Sequence, residues 1–363
     1  MNGVLAAFAA FVGFSMLIML HELGHFTMAK ATGMRVEGFS LFFGPVLLGV
    51  RFGDTLYAVR SIPLGGYVRI TGMNPNEQLP PEVAARGFYR QAIWKRIVVI
   101  GAGPFMSVLT AFVILWGVFL ASGRADVTSR VANIEPGWPA ASVLRPGDRL
   151  IAVDGHRGGP ATLAKLVARH ACTARPPVDG CNAATPARIT LKRHGTTRTV
   201  TILPRYDAAL GKTRVGLLYG EDVHHFGVGA AAGHSFSTMG TVISKTASTF
   251  AGIFTSSQKR KQVSSVVGAY ESTRQSFELS FAQAMFLLGV VSLSLGVINL
   301  APFLPLDGGH IFFAIAEKLR GRAVAFSVME RASVVGIMLV IFVFIIGFTN
   351  DIDRITGQGF GVR

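Results

Sequence analysis

The residues with the clearest chemical potential are two histidines four positions apart, His21 and His25, in the run His-Glu-Leu-Gly-His. On an α-helix, residues four apart lie on one face, so both imidazoles can bind the same zinc ion. Glu22 stands between them and can act as a general base toward a water molecule. Because titratable groups inside an apolar segment are costly and usually functional, the position of this motif at the end of an apolar run favours a metal site over a chance match.

Two histidines leave a catalytic zinc site one protein ligand short. Asp307 is the candidate third ligand, because it follows another long apolar stretch in the run Asn-Leu-Ala-Pro-Phe-Leu-Pro-Leu-Asp-Gly-Gly-His. If both stretches begin at the same membrane face, near Val4 and Phe281, a rise of roughly 1.5 Å per residue carries His21 and Asp307 toward the opposite face. The two residues can then meet at one depth. His310 is the competing ligand.

The elements that must position these residues are apolar segments. Half of the 363 residues are hydrophobic and 15% are charged, whereas soluble domains have roughly 25% charged residues. A membrane span needs about 20 apolar residues. Four stretches qualify: 4–31, 97–122, 332–349 and 281–306. The stretch 281–306 contains Asn299, Pro302 and Pro305 near its end. This end predicts a site rather than a plain anchor, because irregular backbone at membrane depth needs protein or a water-filled cavity around it.

Basic residues indicate the orientation of these spans. The segment 30–97 holds nine lysines and arginines against four acidic residues, and the loop before the last span holds Lys318, Arg320, Arg322 and Arg331. By the positive-inside rule both are cytoplasmic, which places both termini and residues 123–280 outside the cytoplasm. The net charge of +15 does not indicate nucleic-acid binding, because the basic residues form no single stripe and no nucleic-acid motif is present.

Two further segments have recognisable patterns. Residues 56–70 alternate on either side of the Gly65–Gly66 pair, which predicts a β-hairpin or a looping strand pair that lies in the cytoplasm or dips toward the membrane. In the segment 127–204, short apolar strands alternate with Gly/Pro turns, a short helix at 162–170 follows, and a hairpin at 189–204 ends the pattern. This order, and the run EPGWPAASVLRPGDRLIAVDG above all, resembles a bacterial PDZ domain, which binds peptides by strand addition. The alternative is a β-rich spacer without a ligand.

Taken together, the motifs resemble the site-2 protease family, in the bacterial form that regulates sigma factors. HELGH in the first span, IPLGGYV in the inner loop, a Gly-Pro in the second span, a PDZ-like segment and NLAPFLPLDGG occur in the family's order over most of the chain. The resemblance implies that His21, His25 and Asp307 bind one zinc ion and that Glu22 is the catalytic base. It also implies that Asn299 holds the substrate or the oxyanion.

The chain departs from the family pattern in two places. The family's second-span motif often ends in Asn where this chain has Ser107, which can still form hydrogen bonds and is our candidate substrate contact there. Some relatives carry two tandem PDZ domains, whereas we find one. We assign Gly65, Gly66 and Tyr67 to substrate binding, because the inner-loop strands can pair with an unwound substrate segment. The Ala-, Gly- and Arg-rich composition is typical of an actinobacterial member.

Cys172 and Cys181 lie in the PDZ-like segment. Pro176, Pro177 and Gly180 favour a turn between them, and the outside placement favours a disulfide over two free thiols. Residues 227–244 contain no Asp, Glu, Lys or Arg, so a fifth span there is an alternative to surface helices.

The sequence therefore predicts a polytopic α-helical membrane protein with about four transmembrane helices and an inserted, extracytoplasmic, β-rich PDZ-like domain. Four regions are expected: a membrane core at 1–126, the PDZ-like domain at 127–204, a linker with surface helices at 205–280 and a second part of the core at 281–363. The predicted function is zinc-dependent cleavage of single-span membrane proteins, such as anti-sigma factors, in the bacterial inner membrane, with the active site toward the cytoplasmic side.

Beyond these substrates, the predicted partners are the lipid bilayer and a peptide or substrate C-terminus at the PDZ-like domain. Two other functions are considered. A membrane scaffold that binds through its PDZ-like domain would not need Glu22 between two histidines. A transporter of divalent metals usually carries acidic residues across several spans, whereas these spans carry essentially one such cluster.

Overall fold

The computed structural model describes residues 1–74, 77–208, 210–357 and 359–360. The chain divides into two compact units. The first unit combines Met1–Ala121 with Gly227–Arg363, and the second is the inserted segment Ser122–Phe226. All of the predicted metal ligands lie in the first unit.

Among the described residues, four helices are long and apolar enough to cross a membrane. They are α1 (Gly3–Ala31), α3 (Ile93–Ser122), α8 (Phe281–Asn299) and α10 (Phe326–Thr356). These helices confirm the four predicted spans. The span that begins at Phe281 is shorter than the predicted range of 281–306. Its helix ends at Asn299, just before a segment with two prolines. A second, shorter helix, α9 (Asp307–Arg320), starts after that segment.

A β-structure follows α1 and consists of two long, irregular strands, β1 (Val36–Phe52) and β2 (Thr55–Ile70). Their register changes several times, so four segments lie side by side in the order 46–52, 55–60, 36–41 and 66–70. The hairpin predicted within 56–70 was wrong in its pairing. The two halves of β2 do not pair with each other but flank the first half of β1, and Gly65, with φ of +88°, lies between them. Residues 66–70 therefore form one edge of this structure.

The segment between the β-structure and α3 contains the short helix α2 (Pro81–Ala84) and one turn of 3-10 helix at Phe88–Arg90. After the inserted unit come α5 (Val228–Gly252), α6 (Ser257–Gln262) and α7 (Val266–Leu279). The α5 helix has 25 residues but is not among the four helices that are long and apolar enough to cross a membrane. The ring of Phe236 on α5 stacks on that of Phe112 on α3, with 4.7 Å between centroids.

A buried carboxylate ties α10 to the start of α7. The Asp351 side chain accepts hydrogen bonds from the Ser264 and Ser265 hydroxyls and from the backbone N–H groups of Ser265 and Gly268, at 2.7 to 3.0 Å. The N-terminal N–H groups of a helix have no partners within it, and a negative charge there is favourable. Asp351 therefore fixes α7 at the N-terminal end of that helix.

The second unit is built on a six-stranded sheet. Its strands are β3 (Arg124–Ile134), β4 (Arg149–Val153), β5 (His156–Arg157), β6 (Ala187–Arg193), β7 (Thr196–Ile202) and β10 (Leu217–His224). The main order is β10-β3-β4-β6-β7, so β10 is an edge strand. The helix α4 (Pro160–Ala168) and the strand pair β8 (Arg205–Asp207) and β9 (Lys212–Arg214) complete the unit.

The core of this unit confirms the apolar alternation seen in the sequence. Alternate residues of β6, Ile189 and Leu191, are fully buried beside Leu163 of α4. The predicted hairpin is formed by β6 and β7. Cys172 and Cys181 are disulfide-bonded, with Cα atoms 5.8 Å apart, as we expected from the turn-forming residues between them. The compact unit includes β8, β9 and β10, so it extends beyond the predicted range of 127–204.

Candidate active site

The three predicted metal ligands meet in the first unit. The Nε2 atoms of His21 and His25 lie 3.2 and 3.4 Å from the same oxygen, Oδ2 of Asp307. Tetrahedral zinc with bonds of about 2.0–2.1 Å to nitrogen holds neighbouring ligand atoms about 3.3 Å apart. The Oδ2 atom is buried and accepts no well-directed hydrogen bond from the described residues. Spacing, donor type and the unsatisfied oxygen all fit a zinc ion.

Hydrogen bonds at the other ring nitrogens orient both histidines. Nδ1 of His25 donates to the backbone carbonyl of Val99 at 2.9 Å, which leaves Nε2 as an unprotonated ligand in the neutral ring. Nδ1 of His21 is 2.9 Å from the Ser107 hydroxyl. Partners of this kind fix the tautomer and ring orientation of metal-binding histidines. Val99 and Ser107 both lie on α3, so the second span orients the two histidines of the first span.

Ser107 therefore has a different place from the one predicted. Its side chain is buried, with 1% of its surface exposed, and it does not line the cavity beside the metal ligands. Its backbone carbonyl also accepts a hydrogen bond from the Ser292 hydroxyl at 2.9 Å. In the structure the Ser107 hydroxyl thus faces His21 rather than the cavity, because it is buried where α3 packs against α1.

Two glycines allow α1 and α3 to approach closely enough for these contacts. A Cβ atom added at Gly103 would overlap the imidazole of His25, and one added at Gly24 would overlap the backbone carbonyl of Ala102. Small residues at such positions let helix backbones approach closely in membranes. The sequence alone shows the Gly-Pro motif but not which side chain the glycine accommodates.

A cavity of about 400 Å³ opens beside the metal ligands. Its lining includes the side chains predicted to carry out the reaction and the edge segment of β2: His21, Glu22, His25, Gly65, Gly66, Tyr67, Val68, Ile70, Asn299 and Asp307. With the exception of Ser107, every predicted site residue lies at this one cavity. The backbone of Val68 faces the Glu22 carboxylate, so the strand edge and this carboxylate line the same cavity.

His310 also lines the cavity but is not part of the ligand cluster. The cluster of close donor atoms consists of His21, His25 and Asp307 among the described residues. Nδ1 of His310 is buried and has no hydrogen-bond partner in the described part of the chain. The geometry therefore favours Asp307 over His310 as the third ligand.

Comparison with known proteins agrees with this geometry. The model of peptidase family M50 matches residues 9–343. The chain belongs to peptidase family M50. The relatives include three proteins named "Putative zinc metalloprotease". The protein from Mesorhizobium japonicum is 30% identical, with 93% of this chain and 96% of the relative aligned. The corresponding values are 28%, 94% and 95% for the Rhizobium meliloti protein. For the Clostridium perfringens protein they are 28%, 94% and 97%.

This M50 protein is accordingly a zinc metalloprotease, and its four apolar helices make it a multi-pass membrane protein. The HELGH motif lies on α1, which is one of the four candidate spans.

Proposed function

We propose that this protease hydrolyses peptide bonds within or next to the transmembrane segments of single-span membrane proteins. The observation that carries the proposal is the cavity in which His21, Glu22, His25 and Asp307 face the strand edge at 66–70. The metal ligands and Glu22 provide the groups needed for hydrolysis. The strand edge provides backbone N–H and C=O groups with which an extended substrate can pair.

The chemistry divides among a few groups. Bound zinc supplies a Lewis acid that polarises the scissile carbonyl and acidifies water. The Glu22 carboxylate accepts a proton from the attacking water and delivers it to the leaving amine, so the peptide bond is replaced by a carboxylate and an amine. The Asn299 side chain, at the end of α8 and on the cavity wall, holds the substrate or donates a hydrogen bond to the developing oxyanion.

The substrate must be extended to react. In a helix its carbonyls accept i to i+4 hydrogen bonds, so a membrane-spanning substrate has to unwind locally. Pairing with 66–70 replaces some of the lost hydrogen bonds, as in other cases of strand addition. Gly65, Gly66 and Tyr67 lie at the start of this edge and contribute to substrate binding.

The second unit provides another candidate peptide site. Its edge strand β10 lies beside β3, and α4 packs against the same sheet, an arrangement that supports the PDZ-like assignment. We propose that a peptide, such as a substrate C-terminus, binds along an edge of this sheet. Substrates of the anti-sigma type remain the family-based expectation for the whole protein.

The proposed location is the bacterial inner membrane, with the active site toward the cytoplasm and the second unit and both termini outside. The basic loops carry this orientation. A reporter inserted near Asn76 should be cytoplasmic, and one fused after Gly361 should be extracytoplasmic; both positions lie outside the described residues. A cytoplasmic C-terminal reporter would contradict the orientation and point to an additional span.

The decisive experiment replaces the proposed base. Glu22→Gln should retain zinc and reduce cleavage by about 100-fold or more, because the amide cannot accept the proton. Glu82→Gln, an exposed glutamate, is the matched control. Comparing the membrane proteomes of cells with each variant would identify substrates as single-span proteins that accumulate uncut with Glu22→Gln. Identical proteomes would contradict the proposed cleavage of single-span membrane proteins through Glu22.

A further inference from the structure

A second cavity, of about 260 Å³, adjoins the active site, and among the described residues the two cavities share His310. Its apolar walls include Tyr89, Phe313 and Met329, and its charged groups are Arg90, Arg96 and Glu317. Neither the zinc chemistry nor the strand edge uses this space. A cavity of this size and mixed lining can hold a long side chain with a polar end.

The wall of the second cavity is connected to the end of the strand edge. Beyond Ile70, the last residue of the edge, the chain passes through Thr71 and Gly72. The carbonyls of these two residues accept hydrogen bonds from the backbone N–H groups of Phe88 and Tyr89, at 2.8 and 3.3 Å. The wall of the second cavity is thus joined to the end of the strand edge. A segment paired with 66–70 and running past Ile70 would bring its next side chains to this cavity.

The charges at the cavity determine what it should bind. Arg96 and Glu317 form a bidentate ion pair with two hydrogen bonds, so their charges largely cancel. Arg90 is exposed and forms no ion pair with the described residues. The lining therefore carries an uncompensated positive charge. In addition, Nε of Arg96 is a buried donor without an acceptor in the described part of the chain.

We propose that this second cavity is a specificity subsite that binds an acidic side chain of the substrate, glutamate in particular. The apolar walls contact its methylene groups and Arg90 pairs with its carboxylate. The subsite adds sequence specificity to the proposed function and rests on it, because it binds a substrate residue next to the segment that pairs with 66–70. The subsite selects among extended segments that the strand edge would accept equally.

The test uses the purified full-length, zinc-loaded protein and a model single-span substrate whose cut site is first mapped by mass spectrometry. Each residue within six positions of the cut is then replaced in turn by Glu and by Lys. We expect one position at which kcat/KM is about 5-fold higher with Glu than with Lys, the size expected for one exposed ion pair of about 1 kcal/mol. Arg90→Glu should reverse that preference.

Two matched controls separate the subsite from general effects. Lys318→Glu makes the same charge change at an exposed residue that does not line the cavity, and it should keep the wild-type preference. Ala323→Trp fills the cavity from its exposed rim and should abolish the preference. Ala325→Trp, two residues away and not in the lining, should preserve it.

The outcomes distinguish the two proposals. Cleavage by the wild-type protein with no Glu-preferring position, or with the same preference after Arg90→Glu, would overturn the subsite and leave the proposed function standing. Failure of the wild-type protein to cut any single-span substrate would overturn the proposed function, and the subsite with it.

Discussion

Arg96 on α3 and Glu317 on α9 face each other in a bidentate ion pair, with N–O distances of 2.7 and 2.9 Å. Glu317 lies on the same helix as Asp307, ten residues further along. The pair therefore connects the helix that carries the carboxylate ligand to the helix that orients both histidines. The Arg96 side chain is 4% exposed and that of Glu317 is 22% exposed, so the pair is largely desolvated.

Glu317→Ala should lower the free energy of unfolding by on the order of 3 kcal/mol, because removal of one partner leaves the Arg96 charge buried and unpaired. Denaturation in detergent micelles measures this effect, and Glu330→Ala, at an exposed position on α10, is the control. The double variant Arg96→Met/Glu317→Leu should recover part of the loss. A double variant less stable than Glu317→Ala would show that the pair is not the cause.

Gly103→Ala should reduce both zinc content and cleavage, because the added methyl group overlaps the His25 imidazole. Gly117→Ala on the same helix is the matched control. A Cβ there meets no described atom within 4 Å, and alanine favours a helix by about 1 kcal/mol over glycine. Metal analysis and a cleavage assay on both variants give the comparison. Full zinc content and activity in Gly103→Ala would exclude this steric requirement.

The metal site should hold about one zinc ion per chain, and a strong chelator should abolish cleavage until zinc is restored. Asp307→Ala should lower the zinc content and eliminate activity, because it removes one of the three protein ligands. Asp353→Ala on α10 serves as the control for loss of an exposed carboxylate. An Asp307→Ala protein with full zinc and normal cleavage would remove Asp307 from the site.

Stability of the second unit should depend on pH through Asp148. Two hydrogen bonds from the Arg193 guanidinium, each 2.7 Å long, hold the pKa of this buried carboxyl below its usual range. A folded-state pKa below the unfolded value gives stability that is present above the unfolded value of about 4 and is lost as pH falls through the folded value.

Hydrogen exchange of the β4 and β6 amides in the full chain, corrected for intrinsic rates, measures this dependence. Asp148→Asn should lower protection at pH 7, and its difference from the wild-type protein should shrink below about pH 4. Asp126→Asn, whose side chain is 49% exposed, is the control. Equal protection of Asp148→Asn and wild type at pH 7 would contradict the prediction.

The disulfide between Cys172 and Cys181 should leave no alkylatable thiol in unreduced protein taken from an oxidising compartment. Cys172→Ser should destabilise the second unit by about 2 to 3 kcal/mol, because the loop between two cysteines at a sequence separation of 9 is no longer closed in the unfolded chain. Mass spectrometry counts the thiols, and denaturation measures the loss. Two free thiols would exclude the bridge and weaken the extracytoplasmic placement.

The structure brings the three predicted zinc ligands together, and their signal in the sequence is local. The spacing of His21 and His25 follows from one helical turn, and the position of Asp307 follows from a motif after a long apolar run. The partners of the histidine rings could not be predicted in this way. Ser107 and Val99 reach the rings only because α3 packs against α1, and that contact depends on glycines whose neighbours are distant in the chain.

The β-structure shows the same contrast between local signals, which the sequence reveals, and contacts with distant segments, which it does not. Alternating residues correctly predicted strands in 56–70. However, alternation does not determine which segment pairs with which, because register depends on partners that a single segment does not contain. The pairing of 36–41 with segments on both sides leaves 66–70 at the edge, and this arrangement determines what faces Glu22.

The edge at 66–70 also bears on how such an enzyme would distinguish one membrane protein from another. A strand edge contacts the main chain, which is the same in every protein, so substrates that reach it differ mainly in the work needed to open their helices. Each 1.4 kcal/mol of opening free energy changes the population of the open form tenfold. One glycine in place of alanine lowers the stability of a helix by about 1 kcal/mol. Cleavage rates would then rank membrane segments by local helix strength, and the protease would act as a sensor of weak helices.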